Sequence, residues 1–332
     1  MKNLGNTRAT KEKSGDAAGY WALKEGAGLV GRSGRAVLRL AGRNPVGMLD
    51  AILTNQVPEG PDRGVYAALL NPKGRIQTDL RVLKKGEKIL IDTEPEGAGA
   101  AREILVRYAP FSRVKVENLS TGDDAWGIIG LYGPSAGELL GGIHLAEHES
   151  QEIEVGGAAL LTAGVAVPVG GFDLIGPAEA LVAAGEHLLG AGATSTGPDA
   201  YETARVEAGI PRFGADITPE NFPAEAGILE RAVSFQKGCY PGQETVARMH
   251  YRGHPNRNLH RLVIDEPLPP ETPVFQEGKQ IGRITSVAPL PVDGRTLALG
   301  YLSRNTQEGP PLSAGDGETA VSPVGLIGND YR

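Results

Sequence analysis

Val65-Tyr-Ala-Ala-Leu-Leu70, then Asn71-Pro72-Lys73-Gly74, then Ile76-Gln-Thr-Asp-Leu-Arg-Val-Leu83 form the stretch that decides the fold. The two apolar runs read as strands, and the Asn-Pro-Lys-Gly between them is a turn signal. Lys88–Ile91 extends the same sheet. Upstream, Arg35-Ala-Val-Leu-Arg-Leu-Ala41 alternates charged and apolar residues, the pattern of a half-buried strand. Asn44-Pro45 then supplies an N-cap and a proline at the first helical position. Met48, Leu49, Ile52 and Leu53 give that helix its apolar stripe. Downstream, residues 98–108 read as a helix and Arg113–Glu117 as a strand. The order β-α-β-β-α-β with one extra strand is that of a ferredoxin-like unit.

A second, similar order follows. Ala125–Leu131 reads as a strand and Pro134–Leu140 as a short helix. Strands are expected near 151–155, 158–163 and 172–175, and Pro177–Leu189 and Asp199–Ala208 as helices. Residues 210–240 carry no period, which for a long segment inside a compact chain points to a functional loop. After Pro255 short strands recur at Leu259–Ile264, Pro273–Gln276, Gln280–Val287, Leu297–Leu302 and Glu318–Val321, the signature of a small β-barrel. The expected class is α+β. The expected division is a mobile tail over 1–18, a first α+β unit over 19–120, a second over 121–255, and a C-terminal β-barrel domain over 256–332.

The chain has 332 residues, a net charge of -7 and one cysteine. The charge argues against electrostatic binding of nucleic acid. One cysteine excludes an intramolecular disulfide and a cysteine-rich metal site, and fits a reducing cytoplasm. No apolar run reaches the roughly 20 residues of a membrane span, so no membrane partner is expected. Gly26-Ala-Gly28-Leu-Val-Gly31 has dinucleotide-motif spacing but lacks the strand–turn–helix context, and reads as a loop. His144-Leu-Ala-Glu-His148 has inverted zinc-motif spacing but runs into Glu149-Ser-Gln-Glu152, a solvated surface composition.

Lys237-Gly-Cys239-Tyr240-Pro-Gly-Gln243-Glu244 holds the one cysteine among residues suited to a tight turn and a polarised thiol. Cations and a helix N-terminus lower a thiol's pKa. Lys237 lies two residues before Cys239, and Pro241 can open a helix over 242–250. Local chemistry leaves both a reactive thiol and a cysteine tolerated in a turn. Glu207, near the end of the 199–208 helix, is either a salt-bridged surface group or a carboxylate that accepts two N–H bonds from a heterocycle.

This octapeptide resembles the signature of the YgfZ family of folate-binding proteins, which serve iron–sulfur cluster assembly and repair. Val246-Ala-Arg248, Arg252-Gly253 and Arg257 continue the likeness. Arg205-Val-Glu207-Ala-Gly209-Ile-Pro211 resembles a segment shared with the glycine-cleavage T-protein, as do Gly34–Gly42, Leu53–Val57 and Gly74–Asp79. The likeness spans roughly residues 25–305. It implies a T-protein-like fold: two intertwined ferredoxin-like halves around a central cavity, plus a small C-terminal barrel. It implies tetrahydrofolate, or a one-carbon derivative, as the bound cofactor. A pterin presents an amino group and a ring N–H side by side, which makes Glu207 the candidate for ring recognition. Arg248, then Arg252 and Arg257, are candidates for the folate carboxylates. Tyr240 and Gln243 are candidates for further cofactor contacts.

In a T-protein an aspartate stands beside the reactive folate nitrogen. In the comparable stretch here, Ile91–Ala100, no aspartate occupies that position, and Asp92 lies too early. The resemblance therefore implies a tetrahydrofolate-binding accessory protein for iron–sulfur cluster assembly or repair. Cys239 would be its reactive thiol, favoured as thiolate by Lys237, and its partners would be iron–sulfur client or assembly proteins. The alternative is a folate-dependent one-carbon (aminomethyl) transferase or demethylase. One cysteine cannot hold a stable cluster alone.

Overall fold

The computed structural model describes residues 16–32 and 34–328. Residues 1–15 of the expected tail lie outside the described part. Residues 16–18, placed in that tail by the sequence reading, are helical instead, within helix α1 over 16–25.

The first half comprises β2 (Ala36–Gly42), α2 (Pro45–Ile52), β3 (Val65–Leu70), β4 (Ile76–Lys85), β5 (Lys88–Thr93), α3 (Pro95–Ser112) and β6 (Val114–Asn118). Asn44 caps α2 as its sequence suggested, its side-chain oxygen accepting from the Gly47 N–H at 3.0 Å. The strands form an antiparallel sheet ordered β3-β4-β5-β2-β6. The second half comprises β7 (Trp126–Tyr132), α4 (Ala136–Leu139), β8 (Ser150–Val155), β9 (Ala158–Val165), β10 (Gly171–Pro177), α5 (Ala178–Gly190), β11 (Thr194–Thr196) and α6 (Pro198–Glu207). Its sheet is ordered β11-β1-β7-β10-β9-β8, where β1 is Gly28–Gly31. The segment expected as a loop is therefore a strand, and it ties the chain's beginning into the second sheet. That exchange intertwines the halves.

Two short helices follow, α7 (Leu229–Ala232) and α8 (Gln243–Arg252). Then β12 (Arg257–Ile264), β13 (Pro273–Gln276), β14 (Lys279–Val287), β15 (Thr296–Ser303), β16 (Leu312–Ala314) and β17 (Thr319–Leu326) close into a barrel. This is a T-protein-like fold.

Strand alternation sets the layers. On β2, Leu38 and Leu40 pack with Met48, Leu49 and Ile52 of α2 and with Leu105 of α3. Val37, facing the other way, joins Leu83 and Leu90 of its own sheet and Ile128, Leu161 and Ile175 of the second. Each sheet thus has one face under helices and one face against its partner. In the second half Leu131, Leu160 and Leu174 lie under Leu181, Ala184 and Leu188 of α5.

Away from this oil, the interface between the sheets turns ionic. Asp92 on β5 accepts from Arg81 of the neighbouring β4 (Nε to Oδ1, 3.0 Å) and from Arg35 (Nη2 to Oδ1, 2.6 Å). Arg81 crosses to the second sheet, where its Nη2 lies 2.5 Å from Asp173 of β10. Asp92 and Asp173 are 1% and 0% exposed. Burial alone would raise the Asp92 carboxyl, but the two guanidiniums outweigh it and hold it well below the usual carboxylate range. Asp173 also accepts from the Tyr132 hydroxyl. Gly130, its register partner on β7, makes that contact possible, because a Cβ there would sit 2.2 Å from the Tyr132 ring.

Removing one partner from a buried pair strands the rest without compensation. Asp92→Ala leaves Arg35 without its main partner and Arg81 with Asp173 alone. The expected loss is about 3–5 kcal/mol of unfolding free energy, read from urea denaturation at neutral pH. A loss below about 1 kcal/mol, the range of exposed pairs, would contradict this description.

Candidate functional site

The same alternation carries β4 from the oily interface to a cavity. Leu83 is in the apolar core, Arg81 in the ionic layer, and Asp79 on the cavity wall. The cavity has a volume of about 110 Å³. It is roofed by Tyr201 and Arg205 of α6 and by Ile210, Pro211 and Arg212 of the irregular segment. Arg32, Arg35, Arg81, Arg205, Arg212 and Arg231 line it, against the carboxylates Asp79, Glu94 and Glu147.

Several of the arginines are held from behind. Arg205 bonds Asp216 (2.6 Å), Glu202 (2.9 and 2.6 Å) and the Ser286 hydroxyl (2.7 Å). Asp216 in turn accepts from Thr285 and Ser286 of the barrel, at 2.5 and 2.8 Å. This clamp fixes the barrel to the roof. Arg32 donates to the hydroxyls of Tyr132 (3.1 Å) and Tyr201 (2.5 Å), whose rings stack with centroids 5.5 Å apart. Glu94 is held by Arg35 and Arg32, and Glu147 by Arg231 at 2.6 Å. Among the described residues, two buried atoms of lining side chains have no hydrogen-bond partner: His148 Nδ1 and Arg212 Nε. Buried polar atoms are normally paired.

Asp79 differs from its neighbours. Its Oδ2 accepts from the Tyr66 hydroxyl at 2.6 Å, and among the described residues it forms no ion pair. Burial, against the Tyr66 hydrogen bond, pushes its carboxyl up to about 6. For His148, burial, reinforced by the Arg81 charge, lowers the imidazole to about 4.

The structure separates the residues singled out from sequence. Glu207 does not line the cavity. Its carboxylate accepts from the Tyr20 hydroxyl (2.9 Å) and from Lys24 (3.0 Å), both on α1. The sequence placed Glu207 at the bound ring; in the structure it is tied to α1, whereas Arg205 of the same helix faces the cavity. No residue of the 237–244 motif lines the cavity either. Cys239 is exposed. Lys237 donates to the carbonyls of Asp50 (2.6 Å) and Leu53 (2.7 Å) at the end of α2, and burial lowers its pKa.

Tyr240 packs with Leu70, Ile76 and Val246, and burial pushes its phenol up to about 12. Helix α8 starts at Gln243 behind Gly242, whose φ of 84° suits glycine. A Cβ at Gly242 would sit 2.6 Å from the Asn71 carbonyl. The motif therefore clasps the β3–β4 turn. Arg248 and Arg252 are exposed on α8. Arg257 contacts the Glu220 carbonyl (3.3 Å), Glu225 (3.6 Å) and the Tyr301 ring (5.2 Å), and it too is absent from the lining.

Within the His144–His148 motif, His148 has a φ of 62° and faces the cavity, whereas His144 lines a separate open groove. Among the described residues no three His, Cys, Asp or Glu groups converge on a metal position. Asp79, Arg32, Arg81, Tyr201, Arg212 and Arg231 are cavity groups that the sequence did not single out, and His148 was read there as part of a surface segment. Alternation along Ile76–Leu83 was a usable signal for Asp79, since it puts Asp79 and Arg81 on one face.

These two groups oppose each other in pH. Asp79 has a raised folded pKa, so its contribution is complete below 3.8 and is lost as pH rises through about 6. His148 has a depressed folded pKa, so its contribution is complete above 6.5 and is lost as pH falls toward about 4. Each amounts to about 3 kcal/mol, at about 1.4 kcal/mol per tenfold change in proton affinity. Relative to wild type, Asp79→Asn is expected to gain stability as pH rises from 4 to 6, and His148→Gln to lose it over 4 to 6.5. Urea melts across this range that run parallel for all three proteins would contradict the assignment.

Comparison with known proteins places this architecture. Residues 8–237 match the family model described as the GCVT N-terminal domain. The aminomethyltransferase of Moorella thermoacetica is 29% identical over 315 residues, covering 91% of this chain and 83% of that protein. The aminomethyltransferase of Saccharopolyspora erythraea is 28% identical over 334 residues, covering 95% and 89%. The crystal structure of glycine cleavage system aminomethyltransferase T from Bartonella henselae matches with a TM-score of 0.81 at 22% identity, covering 94% of this chain and 88% of that one. That last likeness concerns the fold.

Proposed function

The chain belongs to the GCVT N-terminal domain family, and on that footing we propose that it binds a reduced folate in the cavity between its sheets and acts there as a folate-dependent one-carbon transferase of the aminomethyltransferase type. Relatives named aminomethyltransferase align along more than four-fifths of both chains. Family members of that name use tetrahydrofolate, which fits the cofactor reading. A bound reduced folate supplies the nitrogens that carry a one-carbon unit. The observation that carries the reading is the cavity's polarity. Six guanidiniums face three carboxylates. A ligand with N–H donors at one end and carboxylates at the other answers both.

In this assignment the guanidinium of the roof arginine Arg212 donates to a ligand oxygen. Arg32, Arg35 and Arg81, fixed by their acids, set a positive potential without moving. Tyr201 and Arg205 on α6 close the cavity against water. Calorimetry with 5-formyl-tetrahydrofolate tests this. Wild type is expected to bind at one site. Arg212→Ala is expected to bind about ten- to a hundredfold more weakly, on the order of 1.5–3 kcal/mol for one charge-assisted hydrogen bond. Absence of binding to wild type would overturn the reading.

A second reading follows from the likeness of residues 237–244 to the YgfZ signature and from the exposure of Cys239. It is a folate-linked accessory role for iron–sulfur client or assembly proteins, in a reducing cytoplasm, with the thiol offered at the surface. No described helix is long and apolar enough to cross a membrane. Cys239→Ala is expected to leave folate binding unchanged, because no residue of the motif touches the cavity. If the variant fails to restore iron–sulfur enzyme activity to a deletion strain while one-carbon turnover is absent in wild type, the second reading replaces the first. Full restoration removes it.

A further inference from the structure

We propose that Asp216 is a positioning residue through which the C-terminal barrel sets the cavity's affinity for its ligand, by aligning the two roof arginines Arg205 and Arg212. The inference rests on the reading that this cavity takes a reduced folate. It adds to the machinery of binding a domain that lines none of the cavity.

Three observations carry it. First, the Asp216 carboxylate divides its two oxygens between two parts of the chain. Oδ2 accepts from the roof, from Arg205 Nη1 at 2.6 Å and from the Arg212 backbone N–H at 3.1 Å. Oδ1 accepts from the barrel, from the hydroxyls of Thr285 at 2.5 Å and Ser286 at 2.8 Å. A carboxylate has about four acceptor positions, so these bonds fill it. Second, the barrel is bent to reach it. Consecutive side chains of a regular strand point to opposite faces. On β14 the register against β15 slips between Ile284 and Ser286. Such a bulge re-aims side chains, and here two successive buried hydroxyls reach one oxygen. Third, the roof turn closes on the same residue. The N–H groups of Ala215, Asp216 and Ile217 all donate to the Arg212 carbonyl, at 3.2, 2.8 and 3.1 Å. The Arg212 guanidinium itself is held loosely, 3.7 Å from Glu202 and 34% exposed. Its direction is therefore set by its backbone, and its backbone by Asp216.

Without the barrel hydroxyls Oδ1 loses both partners and the carboxylate is free to turn. Arg205 keeps Glu202 of its own helix, but the 212–217 turn loses its fixed reference. Binding a ligand then has to order the roof as well, and ordering side chains and loops at the moment of binding weakens affinity.

The test is calorimetric titration of the full chain with 5-formyl-tetrahydrofolate, paired with urea denaturation. Removing Asp216 would strand the buried Arg205 guanidinium and endanger folding, so the substitutions are placed on the barrel. Thr285→Val combined with Ser286→Ala removes both hydroxyls and leaves every cavity-lining residue in place. The pair is expected to weaken binding about tenfold, within the range of couplings inside one hydrogen-bond network. Thr285→Ser, which keeps its hydroxyl, is expected to stay within about twofold of wild type. In an Arg212→Ala background the pair is expected to weaken binding by about threefold at most, because part of what it disturbs is already gone. A merely structural role lowers the urea midpoint and leaves the dissociation constant of the folded protein at the wild-type value. That result would overturn the inference while leaving the folate reading in place. So would an equal loss in both backgrounds. Failure of wild type to bind the folate would remove the inference and the folate reading together. Should the paired variant not fold, Ser286→Ala alone carries the same comparison, with an expected loss of about threefold.

Discussion

The structure depends on one buried link, in which Arg81 bridges Asp92 of its own sheet and Asp173 of the other. Two sheets pressed together by apolar side chains alone have no fixed offset, because oil-to-oil contact is non-directional. A guanidinium shared between two nearly inaccessible carboxylates has direction. It sets how β4 lies against β10, and so where the sheets part to leave a cavity. Removing such charges from water is costly. The position of the sheets is what the link secures, and the cavity begins one strand step beyond it.

The sequence Asp79-Leu-Arg81-Val-Leu83 runs the length of that interface. Leu83 lies in the apolar layer, Arg81 in the ionic layer and Asp79 at the cavity. The roof comes from elsewhere in the chain. Arg205 at the end of α6 is held by Glu202 and Asp216, and Asp216 is held by Thr285 and Ser286 of the barrel. The barrel therefore stabilises the cavity by fixing the roof, without lining it. The segment over 210–240, periodless in sequence, is where these attachments converge, and the single turn of α7 is its one helix.

Long, strongly patterned elements were legible in the sequence. The alternation over 35–41, the Asn44-Pro45 helix start and the barrel strands after 255 match the observed ones closely. Short strands were not. Gly28–Gly31, Thr194–Thr196 and Leu312–Ala314 have too few residues to show a period, and β1 pairs with partners about a hundred or more residues away. No local signal encodes that pairing. Side-chain direction was harder still. Glu207 and Arg205 lie two residues apart on one helix, yet Arg205 faces the cavity and Glu207 faces α1. His148 was hidden by the acidic, solvated residues that follow it, and a positive φ turns it inward. Cys239, the most conspicuous residue in the sequence, sits on a clasp over the β3–β4 turn, outside the cavity.

On the proposed reading, folate chemistry belongs to the cavity between the sheets rather than to the surface carrying Cys239 or the α1 face carrying Glu207. A crystal structure of the full chain with bound 5-formyl-tetrahydrofolate measures this directly. The expected result is a ring inside that cavity, beneath Tyr201 and Arg212. A ring seated against Glu207 and Lys24, or beside Cys239, would contradict it.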